Sequence, residues 1–294
     1  MIFNKHRSPE INVDGKSFKI LSYLISDTTF LKLSSPTSEA DFLTDITPTN
    51  GFLSRLKKYQ IDIFSFWQRN WVHKNLLSYP YKKVQDNVAI LEIFSYDYWW
   101  THQIDKKTRN MVRKSVKEGV NVRLCEFSDR LAEDICKIYN ETPIRQNRLF
   151  RHYGENVAEL KERLQSLLDK SCFLGAYLQD ELIGFIQLTF GENFAMITQI
   201  LSMQRYWWAS PNNALISKAV EICVYNKKRY LIYYKMEDDT TLDIFKKNNG
   251  FRRWIVPRYY IPLSKRGKVI LAAQVIFSAR KKMVNKIPKY RIRM

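Results

Sequence analysis

The sequence predicts a mixed α/β fold whose sheet is mostly antiparallel, and the clearest pattern lies in residues 171–251. Two apolar runs, 172–179 and 181–190, flank Asp180, which has one polar residue on either side. That composition is typical of a tight turn between paired strands. A third apolar run follows at 195–203. The segment therefore opens with three consecutive strands and continues with a helix, a strand and a helix.

The two helices of this segment are marked by their ends. Ser210 precedes a proline, which is the order of a capping residue and a proline at the first helical position, and the helix is predicted over 211–228. One broad apolar face carries Leu215, Ile216, Ala219, Val220, Cys223 and Val224. A short strand is predicted at 230–236. The last helix, over 241–249, ends at Gly250, which suits the left-handed conformation at a helix end.

Residues that precede this segment give further elements. We predict strands at 18–25, 61–66 and 87–94, a short helix that carries Leu53, Leu56 and Tyr59, a helix that begins at Tyr98, Trp99 and Trp100, and irregular structure over the turn formers of 34–51.

A basic helix is predicted over 105–119. Val112 and Val116 lie one turn apart on its inward face, and Gly119 ends it. Basic side chains also recur at helical spacing, at Lys106, Arg109, Arg113 and Lys117. Two interpretations stay open, a solvated basic face and a face that contacts an anionic ligand.

A polar loop at 142–154 stands between two predicted helices. A strand at 120–127 and a helix at 131–141 precede it, and a helix over 156–169 follows. The loop concentrates polar side chains, at Arg145, Gln146, Arg148, Arg151, His152 and Tyr153. Loops on a rigid scaffold often carry binding residues, so the acceptor side of a site is predicted here, with ordinary surface charge as the alternative for each arginine.

Composition excludes several classes of protein. The 294 residues are 45% hydrophobic and carry 48 Lys+Arg against 29 Asp+Glu, a formal net charge of +19. A folded protein with an anionic partner is predicted, with a general solubility charge as the alternative. The four cysteines, at 125, 136, 172 and 223, lie far apart without a CxxC spacing, so we expect free thiols and no metal. Because we find no signal peptide and no long apolar segment, we expect a cytoplasmic protein.

Residues 264–294 form a separate basic tail. They hold ten Lys or Arg and no acidic residue, and 269–277 is a continuous apolar run. The run is too short to span a bilayer, which takes about 20 residues. We expect this amphipathic helix to dock on the protein. Peripheral contact with the inner face of an anionic membrane is compatible with docking, and contact with tRNA is the alternative.

Several segments resemble one known family. They are 105–123, 138–154, 181–188, 199–203, 212–223, 245–251 and 257–263. With the order of elements, they resemble an uncharacterised bacterial subfamily in the FemAB-like branch of the Gcn5-related N-acyltransferase (GNAT) superfamily. The resemblance covers roughly residues 60–263. It implies the GNAT (acyl-CoA N-acyltransferase) fold, a mixed and mostly antiparallel sheet flanked by helices, and an enzyme that joins acyl or aminoacyl groups to amines.

A division of the chain follows from this resemblance. Residues 120–263 would form the acyltransferase domain, followed by the basic tail. Residues 1–119 would form an irregular extension that contains the strand 87–94 and the basic helix 105–118. Family members carry two copies of the fold, so residues 88–118 are interpreted as a partial first copy.

The resemblance also implies a site. In the resembled fold the strands at 195–203 and 230–236 separate, and backbone N–H groups of the first face the acyl carbonyl. The predicted catalytic residues are Gln187, Gln199, Tyr234 and Glu141. The two glutamines lie among apolar strand neighbours, as a structural pair or as substrate-orienting groups. Tyr234, or Tyr233 instead, would protonate the leaving group, and His152 and Glu192 are alternatives to Glu141 as the base.

The donor side is predicted around the segment 204–211. The family pattern for the pyrophosphate of CoA contains glycines here, whereas this loop has none and holds Trp207 and Trp208. These rings would stack on a base or pack against the neighbouring basic segment. Predicted donor-binding residues are Ser202, Arg205, Asn212, Asn213, Lys246 and Asn249, and predicted acceptor-binding residues are Arg145, Gln146, His152 and Tyr153. The donor would be acyl-CoA or aminoacyl-tRNA, and no metal is expected.

The predicted function is therefore acyl or aminoacyl transfer to an amine. The acceptor would be a small-molecule or lipid-linked amine, such as a glycan or peptide precursor of the cell envelope. The alternative is a non-catalytic or nucleic-acid-binding protein built on the same fold, for which the basic composition is the main support.

Overall fold

A computed structural model describes residues 10–26, 29–36, 45–72, 77–145, 148–236 and 240–273. The strands are β1 (Glu10–Val13), β2 (Lys16–Ser26), β3 (Thr29–Pro36), β4 (Ile63–Trp67), β5 (Lys82–Glu92), β6 (Val120–Cys125), β7 (Ile144–Arg145), β8 (Arg148–Leu149), β9 (Ser171–Leu178), β10 (Glu181–Phe190), β11 (Phe194–Ser202), β12 (Tyr230–Ile232) and β13 (Arg252–Pro262). The helices are α1 (Asn50–Lys58), α2 (Lys106–Lys117), α3 (Asp129–Asn140), α4 (Val157–Leu164), α5 (Pro211–Tyr225) and α6 (Thr241–Asn248), with shorter helical turns at Tyr96–Tyr98, Trp99–Gln103, Gln165–Lys170 and Gln204–Ala209.

The chain forms two compact units, which we describe separately. The larger is Asn87–Ile255, and the smaller combines Met1–Asp86 with Val256–Met294. These boundaries differ from the division predicted from the sequence, because residues 87–92 of β5 and the helix α2 belong to the same unit as residues 120–255.

The larger unit has a mixed, mostly antiparallel sheet. Its strand order is β5-β12-β11-β10-β9-β6. The pairs β6/β9, β9/β10, β10/β11 and β12/β5 are antiparallel, and β11/β12 is parallel. The three consecutive antiparallel strands predicted between 172 and 203 are present, and the predicted fold class is confirmed.

Helices cover both faces of this sheet. Along β10, Ile186 packs in a core with α5, and its neighbour Phe185 packs in a second core with α3 and α4. Adjacent residues of a strand point to opposite faces, so the two cores lie on opposite sides. The predicted face of α5 is buried except for Val224, which is 37% exposed. Val116 of α2 is 69% exposed, so the prediction that it faces inward is wrong.

Two predicted ends differ from the structure. The helix α5 does begin at Pro211, but Ser210 makes no capping bond with its side chain, since its φ is +55° and its hydroxyl lies 3.3 Å from the sulfur of Met111. The strand β12 ends at Ile232 rather than at residue 236, because the chain turns at Tyr234, whose φ is +47°.

The smaller unit repeats part of this order. Its strands β1, β2 and β3 pair antiparallel, α1 follows, and β4 pairs parallel with β3, at Leu33↔Ile63 and Ser34↔Phe64. β13 then pairs antiparallel with β4. The larger unit has the same sequence of three antiparallel strands, a helix and a parallel strand. We therefore propose that the partial copy of the fold lies in residues 10–67 rather than in 88–118.

The beginning of the predicted basic tail is helical over 265–273 and packs on the smaller unit. Gly267 and Leu271 are buried, and a Cβ at Gly267 would lie 2.1 Å from the carbonyl oxygen of Asp62. The rest of the tail lies outside the described residues. No helix in the described ranges is long and apolar enough to cross a membrane.

Gly250 gives a test of the packing at the end of α6. Its φ is +90°, and a Cβ there would lie 3.2 Å from Leu91 and 3.3 Å from Gln103. We expect Gly250→Ala to lower the free energy of unfolding by about 1–3 kcal/mol, as measured by urea denaturation. Gly15, with a φ of +72° and no atom within 4 Å of a Cβ, is the matched control. Equal losses for Gly250→Ala and Gly15→Ala would contradict the packing argument.

Candidate functional site

The site begins where β11 and β12 separate. The two strands pair only at Phe194↔Tyr230, Ala195↔Leu231 and Met196↔Ile232. Beyond this point the chain stays with β5 instead, since Tyr233 N–H donates to the Ala89 carbonyl and Ala89 N–H donates to the Tyr234 carbonyl, at 2.9 and 2.6 Å. Residues 197–202 of β11 are therefore no longer paired with β12. This is the separation that the resemblance to the GNAT fold implied.

The Tyr234 side chain reaches across this gap. Its hydroxyl donates to the carbonyl of Thr198 on β11, at 3.1 Å. The positive φ of Tyr234 turns its side chain away from the path that a continued strand would give it. The structure thus places the predicted leaving-group acid between the separating strands. Tyr233, the alternative, is buried, and burial raises the pKa of its phenol.

A bulge on β11 brings polar side chains together. The register passes from Gln187↔Gln199 to Leu188↔Ile197, so Thr198 is the extra residue. Bulges redirect side chains, and here the Thr198 hydroxyl meets that of Thr189 at 2.6 Å. The chain of hydroxyls continues to Ser171, to which Gln187 donates at 3.3 Å. Gln187 is fully buried, and its Oε1 has no partner among the described residues.

Gln199, the other predicted glutamine, contacts a helix that packs on this face. Its Oε1 accepts a hydrogen bond from the hydroxyl of Tyr139, on α3. Tyr139 is itself bound by Arg163 of α4, whose Nη2 donates to the phenol oxygen at 3.1 Å. Tyr139 is 1% exposed, and Gln199 is half-buried.

A carboxylate and an imidazole complete this cluster. Glu155 accepts two hydrogen bonds from Arg163, at 2.8 and 3.0 Å, and one from His152, at 3.0 Å. His152 in turn stacks on the ring of Tyr139, with centroids 5.2 Å apart. The predicted acceptor residue His152 and the predicted catalytic residue Gln199 therefore belong to one connected cluster.

The protonation states of the cluster follow from its burial and its hydrogen bonds. Burial raises the pKa of Tyr139 to about 12. Burial also raises the pKa of Glu155, but hydrogen bonds from His152 and Arg163 outweigh it and lower that pKa to about 2. Burial lowers the pKa of His152. At neutral pH the cluster therefore contains a neutral phenol, a carboxylate, a neutral imidazole and a guanidinium.

Glu141 and Arg145 form a second polar cluster. The Glu141 carboxylate accepts from the backbone N–H groups of Gln204 and Arg205, at 2.7 and 3.1 Å, and from Arg145 at 3.2 Å. The Arg145 guanidinium also donates to the carbonyls of Ser202 and Ile138. These bonds occupy Glu141 as the cap of the turn Gln204–Ala209, a position that favours a structural role over that of a base.

The predicted donor residues lie in two places. Ser202 ends β11, with its hydroxyl unpartnered among the described residues, and Asn212 and Asn213 lie half-buried in the first turn of α5. The Arg205 side chain is engaged by Glu181. Trp207 and Trp208 are 53% and 50% exposed.

Lys246 and Asn249, the other predicted donor residues, are buried at the end of α6. The Lys246 ammonium donates to the carbonyl of Lys235 at 2.5 Å and lies 4.5 Å from the centroid of the Tyr233 ring. Asn249 donates to the carbonyl of Phe245, and its Oδ1 has no partner among the described residues. The Lys246 side chain thus supports the segment that follows β12, whereas the Asn249 side chain is bonded within the end of α6.

The predicted acceptor residue Tyr153 is 43% exposed, and its side chain makes no hydrogen bond or ring contact with the Gln199 cluster among the described residues. Gln146 lies outside the described residues. A cleft of about 450 Å³ lies elsewhere in the larger unit, between β6 and the start of α3, lined by residues that include Arg123, Cys125, Arg130, Asp134 and Tyr177. In the described part of the chain, no group of His, Cys, Asp or Glu side chains is placed to hold a metal ion.

Three cluster residues were not predicted: Tyr139, Glu155 and Arg163. Tyr139 follows Ile138 on a helix whose apolar positions account for the pattern, and a tyrosine there is compatible with simple packing. In the sequence, Glu155 and Arg163 are visible only as an acidic and a basic residue eight positions apart, on either side of Asn156, which caps α4 in the structure. That spacing is not a recognised helical pair.

The strand order and the separated strands define the class of fold: this chain has the GNAT fold. No family model and no curated protein matches the sequence. Among solved structures, the chain is similar to FemX, with a TM-score of 0.54 and 11% identity over 84% of this chain and 86% of that one.

Two further structures extend this similarity. One is the C-terminal domain of a protein described as a lysylphosphatidylglycerol synthetase from Agrobacterium fabrum, with a TM-score of 0.57 and 9% identity over 91% of this chain and 88% of that one. The other is L-PGS from Bacillus licheniformis, with a TM-score of 0.53 and 14% identity over 90% and 87%. At these identities the similarity concerns the fold.

The low pKa of Glu155 predicts a pH dependence of stability. A carboxyl whose folded pKa is lowered from 4.5 to about 2 stabilises the protein above pH 4.5, and that contribution is lost as the pH falls through the folded pKa. Allowing for solvent screening, we expect Glu155 to account for about 2 kcal/mol of the loss between pH 5 and pH 2. Urea denaturation of wild type and Glu155→Gln at a series of pH values measures it. A difference between the two proteins that stays constant over this range would contradict the prediction.

Proposed function

We propose that this protein transfers an acyl or aminoacyl group to the amine of a cell-envelope glycan or peptide precursor. The observation that carries the proposal is the separation of β11 from β12 beside a buried polar cluster that ends at Gln199. Acyl transfer needs donors that stabilise the carbonyl oxygen as negative charge develops. A strand that has lost its neighbour, with an amide side chain beside it, supplies groups of this kind.

Tyr234 fits the role of the acid. Its hydroxyl lies in the gap between the strands, 3.1 Å from the Thr198 carbonyl. A phenol at this position would protonate the thiolate or the ribose alkoxide as it departs. Thr198 would hold the phenol in place between turnovers. Glu141 is a poor base, because its carboxylate is already bound by Arg145 and two backbone amides.

The donor is proposed to be acyl-CoA or aminoacyl-tRNA. The turn before α5 contains no glycine, and Glu141 occupies two of its backbone N–H groups. This arrangement favours a donor that is not held by a glycine-rich pyrophosphate loop. The net charge of +19 and the fold shared with FemX and the lysylphosphatidylglycerol synthetase domain support an aminoacyl donor and an envelope acceptor.

A binding screen tests this proposal. Calorimetry would use acetyl-CoA, longer acyl-CoAs and a mixture of aminoacyl-tRNAs, with free CoA and uncharged tRNA as matched controls. We expect one acylated donor to bind more tightly than its unacylated control. Equal binding of charged and uncharged tRNA would favour the nucleic-acid-binding alternative. The absence of a binding signal with every donor would contradict the proposed transferase activity.

The basic tail is proposed to hold the protein at the inner face of an anionic membrane. Its helix begins by packing on the smaller unit, through Gly267 and Leu271. Basic residues continue after this packed segment, at 280–282 and beyond. Each contributes about 1 kcal/mol when it lies near an anionic surface, which is enough for reversible contact near a lipid-linked acceptor.

Vesicle co-sedimentation tests the tail in the full chain. Replacing Arg280, Lys281 and Lys282 with Gln should lower the partition coefficient for phosphatidylglycerol vesicles by about 100-fold. This value corresponds to a loss of about 3 kcal/mol of binding free energy, at about 1 kcal/mol for each basic residue. The matched control neutralises the exposed residues Lys57, Lys58 and Lys83. The same reduction for both triple variants, or no pelleting of wild type at moderate salt, would exclude a membrane role for the tail.

A further inference from the structure

Each hydrogen bond in the buried cluster around Tyr139 has a fixed donor and a fixed acceptor. An arginine side chain can only donate, so the Tyr139 oxygen accepts from Arg163. The phenol has one proton, and the acceptor in contact with it is Oε1 of Gln199. Because burial raises the pKa of Tyr139 to about 12, that proton is present throughout the ordinary pH range. The contacts therefore fix Tyr139 as a donor to Gln199.

The hydrogen bonds at the outer end of the cluster also have fixed donors and acceptors. Nε of Arg151 donates to Nε2 of His152 at 2.9 Å, so the proton of the neutral imidazole is on Nδ1. Nδ1 then donates to Glu155, and Glu155 accepts at both oxygens from Arg163. This agrees with the lowered pKa values of His152 and Glu155. Each member of the chain thus has one possible hydrogen-bonding role.

These hydrogen bonds determine the orientation of the Gln199 amide. With Oε1 bound to Tyr139, the –NH₂ group points the other way, and no described residue accepts a hydrogen bond from it. Gln187 lies directly opposite on β10; its amide nitrogen donates to Ser171, and its Oε1 accepts no hydrogen bond from Gln199 or from any other described residue. Gln199 is half-buried and lies beyond the last residue pair of β11 with β12. The two N–H donors of Gln199 are therefore without a partner in the described part of the chain, at the part of β11 that β12 no longer pairs with.

We infer that Nε2 of Gln199 binds an acceptor oxygen of the ligand, a carbonyl or carboxylate, and that Tyr139 and Arg163 are positioning residues that hold the amide in this orientation. A ligand group that only donates, such as an ammonium, would find no acceptor at Nε2 of Gln199. The inference rests on the proposed function in one respect: in a transferase, the oxygen would be that of the acyl carbonyl, or of an amide next to the acceptor amine.

Nuclear magnetic resonance of glutamine side chains tests the inference without a known substrate. Protein labelled with ¹⁵N in its glutamine amides is titrated with sodium acetate, and separately with methylammonium chloride at equal ionic strength. The Gln199 signals are identified by their loss in Gln199→Glu. We expect them to shift with acetate in a saturable way and to stay in place with methylammonium. Gln85, exposed on β5, is the control amide, whose signals should follow ionic strength alone.

Tyr139→Phe tests the positioning role. The variant keeps the buried ring but cannot donate to Oε1, so the amide of Gln199 is free to turn. We expect its acetate-induced shift to fall several-fold, with an added response to methylammonium. A structural role alone would lower the unfolding temperature and leave both responses unchanged. A methylammonium shift in wild type, or equal acetate shifts for Gln199 and Gln85, would overturn the inference.

Activity separates this inference from the proposed function. If a donor is found, Gln199→Glu should lower kcat/KM at least tenfold, since it places an oxygen where the amide presents N–H, and Gln85→Glu should have no effect. An acetate shift at Gln199 without transfer of any donor would keep the inference and contradict the transferase. Transfer that survives in Gln199→Glu would support the transferase and contradict the inference about Gln199.

Discussion

The larger unit depends on one constraint: β12 pairs with β11 for three residue pairs and then follows β5. A sheet loses main-chain hydrogen bonds wherever neighbouring strands separate, and buried backbone groups must then find other partners. Here the Tyr234 hydroxyl donates a hydrogen bond to the Thr198 carbonyl, and the bulge turns the Thr198 side chain toward Thr189. The separation is thus stabilised by side chains, which keep a polar gap open inside an otherwise apolar sheet.

The cluster beside this gap shows why it is built from charged residues. A lone buried charge is strongly disfavoured, but Glu155 and Arg163 are paired through two hydrogen bonds, and both keep further partners. An apolar replacement of the whole cluster would fill the same space and would often be as stable. It could not orient an amide, however. Directionality is the property that only hydrogen-bonding residues supply, and here it runs from Arg163 through Tyr139 to Gln199 on β11.

The sequence predicted those parts of the structure that depend on local pattern. The three strands between 172 and 203 follow from apolar runs and a polar turn, and the end of α6 follows from Gly250. Features that depend on distant residues were missed. Ser210 does not cap α5 because its hydroxyl lies against Met111, about one hundred residues earlier in the chain. The early end of β12 likewise follows from the turn at Tyr234, whose positive φ no local pattern records.

The glycine-free turn before α5 has a structural explanation that also bears on the donor. A glycine-rich loop binds phosphate because its backbone N–H groups are free and closely approachable. In this chain the N–H groups of Gln204 and Arg205 are bound by the Glu141 carboxylate, and the Arg205 side chain is bound by Glu181. A carboxylate at that place also repels an anion. The turn is therefore already satisfied, and a phosphate on the donor has to be bound by other groups, for which the first turn of α5 and the exposed face of Trp207 are available.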